Sequence, residues 1–202
     1  MAKVKTKKQD TFIDMTAMSD VTVLLLTFFM LTATFIPKEP IQVITPASVV
    51  DIKIPDANLL TILIKSDGQV YLNLDRPADK KAVLERVGEE YNMEFTNSQI
   101  VSFLNQPSIG VPINQLPAFL DMPLLDQDSY LKTSGIPTDS TNNQLKGWIQ
   151  RAVSVNKELK IAIKSDRSTP YPMVNNVIAT LQDLKQNRFN LITTLEGMPE
   201  GF

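Results

Sequence analysis

Residues 21–36, VTVLLLTFFMLTATFI, are sixteen consecutive positions without a charge, and nothing else in the 202-residue chain limits its folding as strongly. Extended back to Met18 the run has nineteen residues, about 28 Å of helix at about 1.5 Å per residue, close to one hydrocarbon core. Pro37, Lys38 and Glu39 end it sharply, and Lys3, Lys5, Lys7 and Lys8 precede it. The lysine excess before the span predicts a cytoplasmic N-terminus, with everything after Ile36 on the far side of the membrane. A cleaved signal peptide also begins with lysines, but its apolar part is about 7 to 15 residues long and ends at small residues. Here the run ends in Thr34-Phe35-Ile36-Pro37, and Asp14 and Asp20 occupy the place where a signal peptide passes from basic to apolar. The reading is therefore an uncleaved single-pass anchor.

Asp20 lies at the edge of this run. One account places it in the first turn of the helix at headgroup depth, where water and the positive end of the helix dipole tolerate a carboxylate. The other starts from spacing. Thr16, Asp20, Thr27 and Thr34 are separated by 4, 7 and 7 positions, which keeps all four within about 40° of one another around a helix. A polar stripe of this kind is expected to face other helices or a hydrated path, with the ionisable member as the functional candidate. Thr22 and Thr32 fall off the stripe. No Lys or Arg on the span can pair with Asp20, and protonation is what relieves the cost of holding a carboxylate away from water. A proton carrier is a physically sensible role for it.

The chemistry open to the chain is narrow. It has no histidine and no cysteine, which excludes sites built on His or Cys metal ligands, cysteine nucleophiles and any triad with an imidazole base. No nucleophile, base and oxyanion constellation can be assembled, so no enzyme activity, cofactor or metal is expected. A formal charge of −2 gives no reason to expect a nucleic-acid partner.

The stretch Ile13-Asp14-Met15-Thr16-Ala17-Met18-Ser19-Asp20-Val21 and the Leu-rich span after it resemble the membrane signature of the ExbD/TolR family, roughly I-x-x-T-P-x-x-D-V. Ala17 stands where that pattern has proline. Val49-Val50-Asp51-Ile52-Lys53-Ile54-Pro55 is similar to the extended segment before the family's periplasmic domain. Lys160-Ile161-Ala162-Ile163-Lys164-Ser165-Asp166-Arg167, with Tyr171 and a Val/Ile-rich helix following, looks like its strand, Asp turn and final helix. The two ends together are specific, and either alone is not. Residues 92–147 exceed the usual family length, and the stretch from Gly135 to Asn143 looks like that of the longer ExbD-like proteins of Bacteroidetes-type bacteria.

The resemblance implies an inner-membrane motor subunit driven by the ion-motive force. It implies a homodimer whose helices stand inside an ExbB/TolQ-like ring, and a TonB-like periplasmic partner. Asp20 matches the family's ion-translocating carboxylate, and the stripe residues Thr16, Thr27 and Thr34 are then expected, from their spacing, to line the ion path. TolR-like envelope maintenance, or a tethered periplasmic binding domain on an inert anchor, are the alternatives.

The expected organisation is a cytoplasmic basic tail (1–17), a transmembrane helix (18–36), an extended linker (37–58) able to add as an edge strand, and a periplasmic domain (59–202) with an insertion at about 92–147. The linker, with four prolines, reaches roughly 70 Å when extended. Residues 60–74 predict two strands around Ser66-Asp67-Gly68, an Asp-Gly hairpin signal. Asp79 is expected to cap a helix running to about Tyr91 through Val83, Leu84 and Val87. The insertion, punctuated by Pro107, Pro112, Pro117, Pro123 and Pro137, reads as an irregular packed excursion with one short helix near 98–104.

A helix over 145–155, a strand over 159–164 and a helix opened by Thr169-Pro170 follow, with Val174, Val177, Ile178, Leu181 and Leu184 on one face. Residues 189–195 are expected to close the sheet. The fold class is α+β, with helices on one face of the sheet. The repeated Ile-x-Ile-Lys-Ser-Asp at 62–67 and 161–166 reads as a strand ending in an Asx turn, twice. Trp148, on a helix face with Leu145 and Ala152, reads as core.

Overall fold

The computed structural model describes residues 15–33, 41–48, 57–139, 142–192 and 194–195. The chain divides into two compact units, Met1–Lys38 and Glu39–Phe202. The first is built on one helix, α1 (Met15–Thr32), whose eighteen residues include none that is buried within the chain. Leu24, Leu25, Phe28 and Phe29 are all more than half exposed, so the helix has a use for its apolar surface only in an apolar surrounding. It is long and apolar enough to be a candidate membrane span. Lys3, Lys5, Lys7, Lys8, Asp14 and residues 34–36 lie outside the described residues.

The second unit is a mixed α+β domain. In chain order its strands and helices are β1 (Ala47–Ser48), β2 (Leu59–Ile64), β3 (Val70–Leu74), α2 (Pro77–Tyr91), α3 (Asn97–Asn105), a 3-10 turn (Ile113–Gln115), α4 (Leu116–Leu120) and α5 (Leu124–Leu131). There follow β4 (Thr138–Asp139), β5 (Asn142–Asn143), α6 (Gln144–Val155), β6 (Lys160–Ser165), α7 (Tyr171–Asp183), β7 (Phe189–Leu191) and β8 (Thr194–Leu195). The main sheet runs β3-β2-β6-β7. β2 and β3 are antiparallel, while β6 lies parallel to β2 and β7 parallel to β6.

The hairpin forms because Gly68 supplies a φ of +85°, a conformation that side chains with a Cβ resist. Asp67 Oδ1 accepts the Gln69 N–H across the same turn. On one face of the sheet Leu60, Ile62 and Ile64 pair with Leu74, Leu72 and Val70, and Leu60 and Ile62 also pair with Ile161 and Ile163. All eight are essentially inaccessible. The other face is mixed: Thr61, Asn73 and Lys164 are half-buried, while Leu63, Tyr71 and Ala162 are buried, so both faces carry part of the core.

The helices meet the sheet with matched spacing. α6 contributes Leu145, Trp148, Ile149 and Ala152, at i, i+3, i+4 and i+7, and α2 and α7 contribute Val83, Leu84, Val87, Val177 and Leu181. α2 packs on α6, and α6 on α7. Trp148 is fully buried and stacks on Phe103 of α3 at 6.3 Å, as its sequence context predicts.

Three local expectations need correction. Asp79 does not cap α2: the helix opens on Pro77, whose missing N–H costs nothing in the first turn. Asp79 lies just inside, where its carboxylate accepts a hydrogen bond from Asn156 Nδ2 at 2.9 Å. The insertion is largely helical. Three of its prolines start helices instead of interrupting them: Pro112 at the N-cap of the 3-10 turn, Pro117 in the first turn of α4 and Pro123 at the N-cap of α5. A capping box, Thr96 with Gln99, opens α3.

Residues 189–195 are also not one strand. β7 joins the main sheet, whereas β8 pairs in parallel with β1 in a separate two-stranded sheet. The register ends at Ile163↔Leu191, two residues short of the end of β6 at Ser165, so Thr194 has outrun its partner strand.

The insertion also covers a sheet edge. Ile109 exchanges two backbone hydrogen bonds with Leu72 at 2.7 and 2.8 Å, and the Ile136 N–H donates to Val70 O at 2.8 Å. These satisfy the outer side of β3, which would otherwise present a row of unpaired groups. Gly110 permits the approach: a Cβ there would sit 2.0 Å from the Tyr71 ring.

Candidate functional site

On α1 the sequence-predicted residues Thr16, Asp20 and Thr27 share one side, and Thr34 lies outside the described residues. Asp20 is the one charged residue of the helix. Thr16 and Val23, at i−4 and i+3, are its neighbours on the helix face, and with Met15 and Ser19 they line a shallow recess beside it. The Thr27 hydroxyl donates to Leu24 O at 2.9 Å. Off the stripe, Thr22 and Thr32 donate to Met18 O and Phe28 O at 2.7 and 2.8 Å. A threonine whose hydrogen is engaged by its own helix keeps its oxygen lone pairs as acceptors. Thr27 can therefore receive a proton donor or a cation without leaving a buried donor unpaired.

In the second unit the repeated Ile-x-Ile-Lys-Ser-Asp falls on the adjacent strands β2 and β6, offset by two residues in register. Both copies end as the sequence predicts. Asp67 Oδ1 accepts from Gln69 N, and Asp166 Oδ1 accepts from Ser168 N at 3.0 Å and Ser168 Oγ at 2.6 Å. Asp166 does more than close its turn. Its other oxygen accepts the Ile44 N–H at 3.0 Å, and the Arg167 N–H donates to Ile44 O at 2.8 Å. The hydrogen bonds from Ser168, side chain first and then backbone, hold the Asp166 carboxyl below the usual carboxylate range. Burial opposes this slightly, and the Ile44 N–H assists it.

A buried polar seam joins α2 to the insertion, and sequence reasoning missed it. The Lys80 ammonium, 5% exposed, donates to Gln106 O, and burial pushes its pKa down. Gln106 Nε2 donates to Gln127, which is fully buried. Gln127 Nε2 in turn donates to Ser102 Oγ at 3.0 Å and Met122 O at 2.7 Å. Each of these residues reads as solvent-facing in sequence. Among the described residues no group of three or more acidic, histidine or cysteine side chains is arranged to hold a metal.

The family described as Biopolymer transport protein ExbD/TolR matches residues 6–196, nearly the whole chain. No curated protein and no solved structure matches.

Proposed function

The chain belongs to the ExbD/TolR family of biopolymer transport proteins, and on that premise we propose that it is the ion-driven motor subunit that energises TonB-type outer-membrane transport. Family membership supports transport energisation alongside ExbB/TolQ-type partners in general terms. The observation that carries the finer reading is the single carboxylate of α1, Asp20, set on the same side as Thr16 and Thr27.

In this reading two copies of α1, one from each protomer, stand inside an ExbB/TolQ-like ring in the inner membrane, with the N-terminus cytoplasmic and the second unit periplasmic. Asp20 accepts a proton from the outside and releases it inward. The Thr27 and Thr34 oxygens then serve as waypoints. One elementary charge crossing 100 mV releases about 2.3 kcal/mol, enough to bias a rotation between packed states. The periplasmic domain passes that motion to a TonB-like protein. No catalytic residue takes part.

Asp20→Asn tests the proposal, because the amide keeps size and hydrogen bonding but cannot exchange a proton. Energised uptake is expected to be lost while insertion, abundance and ring assembly stay near normal. Asp20→Glu retains partial uptake. Thr27→Val and Thr34→Val are milder, since interhelical hydrogen bonds of this kind average about 0.6 kcal/mol. Native uptake by Asp20→Asn in cells with an intact proton gradient and no second copy would leave α1 as an inert anchor. A TolR-like role in envelope maintenance is distinguished by the periplasmic partner that copurifies.

A further inference from the structure

A groove of about 680 Å³ runs between α2 and the beginning of the insertion. Leu84, Met93, Phe95 and Ile100 give it an apolar floor, and Glu85, Glu89 and Glu94 stand exposed along it. Glu85 meets Lys81 at a long 3.8 Å. Among the described residues neither Glu89 nor Glu94 forms an ion pair. The groove is thus apolar below and negatively charged above.

Its walls are built by two turn devices. Asn92 ends α2 with a φ of +52°, and the Met93 N–H returns to Gly88 O at 2.8 Å. A Cβ on Gly88 would lie 2.6 Å from Met93 O and 3.2 Å from the Phe95 ring, so glycine is what lets residues 93–95 lie against the helix. Immediately afterwards the Thr96–Gln99 capping box fixes the start of α3. A preformed wall loses little freedom when a ligand arrives.

We propose that this groove docks a segment of a partner protein in which lysine or arginine alternates with apolar side chains. Charge decides among the occupants. A nucleic acid or an anionic lipid surface would meet three carboxylates of its own sign. A second copy seated here by a two-fold axis would bring the same carboxylates against each other. A cationic segment places its apolar side chains on the floor and its charges against Glu89 and Glu94, and complementarity of that kind gives register and selects partners. The site lies on the second unit and its assignment is independent of ion flow through Asp20.

The test uses the full chain in nanodiscs of zwitterionic phosphatidylcholine, with empty discs as background, and a short fluorescent peptide of alternating lysine and valine. Saturable binding above background is expected. The double substitution Glu89→Gln with Glu94→Gln, at exposed positions that leave the fold intact, is expected to weaken it about fivefold. Replacing the peptide's valines by serine should weaken binding comparably, and replacing its lysines by glutamate should abolish it. No binding above background, undiminished binding to the double variant, or equal binding of the lysine–serine peptide would each overturn the proposal. So would self-association of the chain that the same double substitution strengthens.

Discussion

Asp166 shows how much a single carboxylate can hold. It ends β6 in a turn and also pins Ile44, 122 positions earlier, to the same spot. Its folded pKa is depressed, so the stabilisation it gives is fully present above the unfolded value of about 3.9 and is lost as pH falls through the folded value. Asp166→Asn is expected to cost about 1 kcal/mol at pH 7, a modest figure because the group is partly solvated. The difference from the native protein should narrow in urea titrations carried below pH 4. A constant gap across that range would mean that the carboxylate's charge is irrelevant to the turn. The Asx turn was legible in the sequence because it is local, two residues long and built from Asp and Ser. The grip on Ile44 was not, because no local pattern encodes a contact across 122 residues. Lys80 was illegible for a different reason: a lysine on a helix reads as solvated until tertiary packing covers it.

At the scale of elements, legibility follows how much of an element's stability is its own. The β2–β3 hairpin carries its cause in Asp67-Gly68, and α6 carries its cause in the spacing of Leu145, Trp148, Ile149 and Ala152. The helices of the insertion do not. α4 and α5 have five and eight residues, too short to be stable alone, and they persist because Phe119, Leu120 and Leu131 are buried and Gln127 ties down the turn between them through Leu120 O and Met122 O. Prolines at helix starts and prolines in loops look alike until the partners are known. Gly88 gives a test in which two effects compete. Alanine would gain about 1 kcal/mol of helix propensity, but its Cβ would press on the Met93 carbonyl at 2.6 Å. Backbone has little room to yield, and overpacking costs about 1–3 kcal/mol. Gly88→Ala is therefore expected to lower stability by about 1 kcal/mol in urea unfolding. A stabilised variant would show that residues 93–95 are free to move off the helix.

The whole molecule joins a helix with no internal packing to a domain with a continuous core, and the two obey different physics. The helix was legible from composition alone, because an uncharged run of that length has few other uses. The domain's extent was harder, since a proline-rich approach segment reads as linker. Yet Ile41 is 4% exposed and belongs to the core, Ile44 is held at both its backbone N–H and its carbonyl, and β1 pairs with β8. We therefore place residues 41–48 within the folded unit, ahead of β2. Two fragments, 39–202 and 57–202, separate the possibilities. Burying an isoleucine is worth about 1.5–3 kcal/mol and each strap hydrogen bond about 1 kcal/mol, from which the entropy of ordering the strap must be subtracted. The longer fragment should exceed the shorter by about 2 kcal/mol, or about 4–8 °C in Tm for a domain of this size. Both should unfold in one cooperative transition, the shorter one retaining the β3-β2-β6-β7 sheet. Equal stability would mean that residues 41–48 rest on the domain without belonging to it, and a shorter fragment that fails to fold would make the strap part of the nucleus.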